Sequence, residues 1–161
     1  MAHFNFKLLS LNTRGIRDLH KRKTNFTWIK QQKVDIAFQQ ETYSSQEIEK
    51  QFKLQWRGKM LFAHDTNRSK GVLILFRENP QIDIRNVLGD SEVRYIFVQA
   101  LVQDAPFLLV NLYAPTKNQE QCVFFDRVAN TLEDLSLDHN CQIIIGGDFD
   151  SHAISTPVWI I

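Results

Sequence analysis

The sequence predicts a mixed α/β domain of layered sheets and helices, and three observations point there. Strand-like runs outnumber helical stretches, several of them follow one another as hairpins, and a strand–helix–strand unit occurs twice. Antiparallel hairpins beside two such units argue against a doubly wound parallel sheet.

The elements follow in order. FKLLSLN (6–12) reads as a buried strand. Residues 18–32 read as a helix in which Leu19, Phe26 and Ile29 share one face, with HKRK (20–23) filling its first turns. VDIAFQQE (34–41) is a strand, and residues 44–52 form a short helix capped by Ser44 or Ser45, with Glu47 at the capping-box position if the cap is Ser44. KMLFAH, GVLILF, QIDIRNV and VRYIFVQALV are strand-like, and Asp104-Ala105-Pro106 marks a hairpin turn. FLLVNLY (107–113) is a strand, residues 118–137 form an amphipathic helix with Val123, Val128, Leu132 and Leu135 inward, and QIII (142–145) is the last clear strand.

The 161 residues suffice for one domain with a sizeable core. A net charge of +1 singles out no partner. Cys122 and Cys141 make neither a disulfide framework nor a metal-type spacing, so two reduced, partly buried thiols are expected. The N-terminus has no signal-peptide pattern and no run reaches a membrane span, which points to nucleus or cytoplasm rather than secretion.

The two strand–helix–strand units carry the chemistry. Their first strands end on Asn12 and Tyr113, their second strands on Glu41 and Asp148. Strand ends are where a layered α/β domain gathers distant side chains into one cleft. Asp148 and Asp150 lie on one side of an extended chain, with Phe149 pointing into the core. Converging carboxylates repel unless a cation lies between them, and Mg²⁺ is often held by only one or two carboxylates. An Asp pair at a strand end is also common in solvated turns, so the constellation, not the pair, carries the reading.

SLNTRGI, FQQET, NLYAP and GGDFD stand in the order and approximate spacing of the endonuclease/exonuclease/phosphatase superfamily. The stretches between them resemble the apurinic/apyrimidinic-type endonuclease domain of LINE-type non-LTR retrotransposons. The resemblance covers nearly the whole chain. It implies a four-layered α/β sandwich of two mainly antiparallel sheets, and a DNA endonuclease that hydrolyses phosphodiesters with Mg²⁺, or Mn²⁺ in its place. It also implies fusion to a reverse transcriptase in a full-length element. A phosphatase of the same superfamily and an inactive remnant that at most binds metal or nucleic acid are the alternatives.

By the same resemblance, Asn12 sits near metal and phosphate, Glu41 binds the metal, Tyr113 contacts the phosphate, and Asp148 positions or deprotonates the attacking water. Asp150 stands where the superfamily has Asn, and a carboxylate cannot donate a hydrogen bond to phosphate. Arg14 and Arg17 follow Asn12 and are candidates for substrate phosphate, whereas Phe26, Trp28 and Trp56 are expected in the core. Superfamily members continue to an SDH-like motif that has no counterpart here. The expectation is one domain over 1–161 that lacks its C-terminal part, leaves the second sheet incomplete and does not nick DNA by itself.

Overall fold

The computed structural model describes residues 6–64, 70–78, 81–149 and 158–160. Strand β1 (Leu8–Asn12) leads through helix α1 (Leu19–Gln31) to β2 (Ile36–Gln40), and a 3₁₀ turn (Gln46–Ile48) opens α2 (Glu49–Gln55). Two antiparallel pairs follow, β3 (Met60–Ala63) with β4 (Val72–Phe76) and β5 (Ile82–Gly89) with β6 (Tyr95–Val102). Then β7 (Ala105–Tyr113) passes through α3 (Asn118–Asp134) to β8 (Gln142–Asp148) and β9 (Val158–Ile160).

Two sheets result, in the orders β1-β2-β4-β3 and β5-β6-β7-β8-β9. Each holds one parallel pair, β1 with β2 and β7 with β8, and every other pairing is antiparallel. The parallel pairs are the two strand–helix–strand units, because a helical crossover is what returns a chain to a parallel neighbour. The sheets pack face to face through Ile36, Phe38, Val72 and Ile74 on one side and Val98, Phe107, Leu109 and Ile144 on the other. Helices α1 and α2 cover the outer face of the first sheet through Phe26, Ile29 and Phe52, and α3 covers the second through Phe124 and Val128. The order is helix, sheet, sheet, helix, so the four-layered α/β sandwich is the observed architecture.

Several local expectations change. Leu19 is exposed, and the buried stripe of α1 is instead Arg22, Phe26 and Ile29. Arg22 therefore belongs to the interior, not to a basic surface. Its guanidinium donates to the carbonyls of Ile16 and Arg17 and to Gln55 Oε1, and it stacks 4.4 Å from the Phe52 ring centroid. Trp28 is exposed, whereas Phe26 and Trp56 are core residues as expected. Val123 is exposed and Phe124 takes its inward place, while Leu132 and Leu135 pack on the same cluster. Cys122 is exposed. Ser45 precedes the 3₁₀ turn without a side-chain capping bond, and the buried Ser44 bonds Thr42 and His64 instead. The β6–β7 turn is Gln103–Asp104, with φ of 51° and 65°, one residue earlier than expected. Positive φ at both central residues gives the turn a twist that matches paired strands. Finally, β8 runs on through Gly146 and Gly147 to Asp148, because both glycines stay in register with β7.

Candidate active site

Strand parity builds the site. Residues 8, 10 and 12 of β1, 36, 38 and 40 of β2, 107 to 113 (odd) of β7, and 144, 146 and 148 of β8 all lie on the inner side of their sheets. Reading up these columns, the apolar layer ends at Phe38, Leu109 and Ile144. The polar side chains of Gln40 and Asn111 follow, with Ser10 bonded to Gln40 and Gly146 in register with Asn111. Above them stand Asn12, Tyr113 and Asp148, with Glu41 immediately after β2. The site is therefore the open end of the sandwich, where the inner columns turn from apolar to ionisable.

Asn12 lies at its centre. Its Nδ2 donates to Glu41 Oε1 at 2.8 Å and to Asp148 Oδ2 at 2.6 Å, and its Oδ1 accepts from the backbone N–H of Arg14 at 3.0 Å. That last bond fixes which end of the amide faces the carboxylates. Burial, reinforced by a hydrogen bond to Glu41 and by its charge, pushes the Tyr113 hydroxyl well above the usual tyrosine range. It stays protonated at any ordinary pH and is available as a donor.

Glu41 has a φ of 51°, in the left-handed region that non-glycine residues rarely adopt. Such strain costs about 1–3 kcal/mol and persists only where neighbours hold it. Here the Glu41 carbonyl accepts from Gly15 N at 2.6 Å and Thr13 Oγ1 at 3.0 Å, and Thr42 N donates to Gly71 O. Gly15 is required for this clasp. Its φ is 80°, and a Cβ there would sit 2.4 Å from the Tyr43 ring.

The structure thus brings Asn12, Glu41, Tyr113 and Asp148 together. Arg14 is exposed beside them. Arg17 turns away, toward Ser45 Oγ at 3.3 Å and Glu47 at 4.0 Å. Asp150 lies outside the described residues. Two neighbours escaped the sequence reading. Tyr43 donates its hydroxyl to Glu41 Oε2 at 3.3 Å, and its position two residues after Glu41 was the only available signal. Arg94 lies over the Tyr113 ring at 5.2 Å and donates to its carbonyl at 3.3 Å. Nothing in the sequence pairs Arg94 with Tyr113, since the β6–β7 register brings them together.

Among the described residues, no three His, Cys, Asp or Glu side chains converge. The site offers two carboxylates within reach of one amide, an all-oxygen acidic set. That set suits a hard cation that keeps most of its water, and it lacks the nitrogen and sulfur ligands of a zinc site.

No family model matches the sequence. A Xenopus laevis protein described as the uncharacterized 149 kDa protein of transposon TX1 is 30% identical over 141 residues, covering 88% of this chain and 11% of its own length. TDP2 of C. elegans superposes with a TM-score of 0.68 at 18% identity, over 89% of this chain and 48% of its own. An AP endonuclease from Archaeoglobus fulgidus gives 0.66 at 20% identity, over 90% and 57%. An endonuclease/exonuclease/phosphatase family protein from Bacteroides thetaiotaomicron gives 0.70 at 16% identity, over 93% and 66%. The chain spans about half to two thirds of these solved structures and about a tenth of the transposon protein. With its paired mixed sheets and outer helices, the chain has the fold of the endonuclease/exonuclease/phosphatase superfamily.

Proposed function

We propose that this site hydrolyses phosphodiester bonds in DNA with the help of Mg²⁺ or Mn²⁺, as the endonuclease of a non-LTR retrotransposon. The observation that carries the reading is the Asn12 amide joining Glu41 and Asp148, with the Tyr113 hydroxyl against Glu41, at the ends of both parallel strand pairs. The similarity to a transposon-encoded protein supports the retrotransposon setting.

Glu41, with Asn12 beside it, would hold the cation, which when bound supplies positive charge to the phosphate and to the attacking water. Asp148 orients that water and accepts its proton. Tyr113, kept neutral, donates a hydrogen bond to a phosphate oxygen, and Arg94 over its ring and carbonyl holds it in place. Asn12 keeps the carboxylates in fixed positions before substrate arrives. Arg14 and Arg17 neutralise flanking phosphates, and Arg17 exchanges its contacts with Ser45 and Glu47 to do so.

The test is nicking of supercoiled plasmid by the purified chain, with Mg²⁺ and with chelator, beside hydrolysis of a small phosphomonoester. Mg²⁺-dependent nicking by the chain as it stands, against the expectation drawn from the SDH-like motif, supports the reading, and it should be lost by at least about a hundredfold in Glu41→Ala and Asp148→Ala while both still unfold cooperatively. Nicking that survives Glu41→Ala, or turnover confined to the phosphomonoester, overturns the reading. No nicking at all would reduce the site to metal or nucleic-acid binding.

A further inference from the structure

Directly beneath the site, the interior of the sandwich is polar. Gln40 and Asn111 sit on the inner columns of opposite sheets, and both are buried. Gln40 Nε2 donates to Asn111 Oδ1 at 2.7 Å and reaches Ser10 Oγ at 3.2 Å. Asn111 Nδ2 in turn donates to the carbonyls of Gln39 and Leu73, each at 3.0 Å. Gln39 and Leu73 face each other across β2 and β4. One carboxamide from the second sheet is thus tied to two strands of the first.

Apolar side chains would fill this space without the directional demand of hydrogen bonds. Leu or Met at these positions would be the ordinary choice for a sheet–sheet interior. The polar pair sits one residue before Glu41 and two before Tyr113, and it lies beside Gly146, which is two before Asp148. All three site residues therefore inherit their position from this layer. Hydrogen bonds add a directional constraint between the sheets that apolar contacts lack.

We propose that Gln40 and Asn111 are positioning residues that lock the two sheets in register and so set where Asp148 stands relative to Glu41 and Asn12. The proposal rests on the phosphodiesterase reading for its catalytic consequence, and on the geometry alone for its structural one. A site held together by this lock loses rate when the lock goes, even where the fold survives.

The test compares wild type, Gln40→Leu/Asn111→Leu and Gln40→Met in the full chain. The double variant leaves neither amide unpaired, while Ser10 and the carbonyls of Gln39 and Leu73 each lose one partner, so its stability is measured alongside and the comparison is made between cooperatively folded proteins. Two readouts are taken besides thermal unfolding. The first is the side-chain amide signal of Asn12 in a ¹⁵N–¹H correlation spectrum, assigned by its loss in Asn12→Ala. The second is kcat and KM for Mg²⁺-dependent nicking.

In the double variant the Asn12 amide signals should move from their wild-type positions. Its kcat should fall between about tenfold and a hundredfold, the scale of a small misplacement of reacting groups. KM should stay within about twofold, because the phosphate-binding arginines are untouched. If the double variant does not unfold cooperatively, Gln40→Met serves, since it removes the bonds of Gln40 alone and should show the same changes at smaller size. A folded variant with unchanged Asn12 signals and unchanged kcat overturns the proposal and leaves the pair a purely structural role. Absence of nicking in wild type would refute the phosphodiesterase reading instead, and the Asn12 signals alone would then decide the lock.

Discussion

Asn12 donates to carboxylates from different sheets, Glu41 in the first and Asp148 in the second, so one amide spans the seam of the sandwich. It offsets part of the repulsion between two acids that share a small space. A buried acid elsewhere shows the opposite case. Asp90 accepts from the backbone N–H groups of Arg94 and Tyr95, but its Oδ2 has no hydrogen-bond partner among the described residues, and Arg127 stands 3.9 Å away. Burial pushes its carboxyl above the usual range. A raised acid binds its proton more tightly in the folded state, so its contribution to stability falls as pH rises from the ordinary carboxylate value through the raised one. Asp90→Asn keeps the Oδ1 acceptor and lacks this component. The stability difference, variant minus wild type, should grow with pH across that window and level off above it. Urea unfolding at a series of pH values measures it, and a difference that does not change with pH would show that Asp90 is not the cause.

Helix α3 shows what amphipathic periodicity decides and what it leaves open. The run CVFF offers three consecutive apolar residues, so Val123 and Phe124 compete for the inward phase. The structure chooses Phe124, in line with Val128, Leu132 and Leu135, and leaves Val123 59% exposed. The ring fills space beside Tyr95, at a centroid separation of 6.3 Å, that a valine could not fill. Phe124→Ala should therefore cost about 3–5 kcal/mol. Val123→Ala should stay within about 0.5 kcal/mol of wild type. Equal losses in denaturant unfolding would mean that the helix is rotated from the phase described.

At the scale of the molecule, the two sheets approach closely beside the site. A Cβ on Gly146 would lie 2.7 Å from the Phe38 ring, and Phe38 belongs to the opposite sheet. Glycine is needed there because the ring of one sheet occupies the space of a side chain on the other. Gly146→Ala should push the sheets apart at the polar layer. Overpacking of this kind costs about 1–3 kcal/mol. Adding Phe38→Leu should recover part of the loss. Thermal unfolding of wild type and of the single and double variants checks this, and no recovery in the double variant would place the strain elsewhere.

Much of this was legible in the chain. Strand runs, the two strand–helix–strand units, and the placing of Asn12, Glu41, Tyr113 and Asp148 at strand ends all follow from local patterns, because alternation and helical spacing are properties of neighbouring residues. Their convergence was an inference from repeated topology; in the structure the Asn12 amide joins Glu41 to Asp148. Tertiary structure alone decided the rest. Arg22 reads as one more cation in HKRK, yet it is buried because the carbonyls of Ile16 and Arg17 and the Gln55 side chain surround it. Gln40 and Asn111 read as ordinary polar residues at the ends of apolar runs. What makes them partners is the packing of one sheet on the other, across 71 residues of sequence, and hydrogen bonds over such a span leave no periodic trace in the chain that makes them.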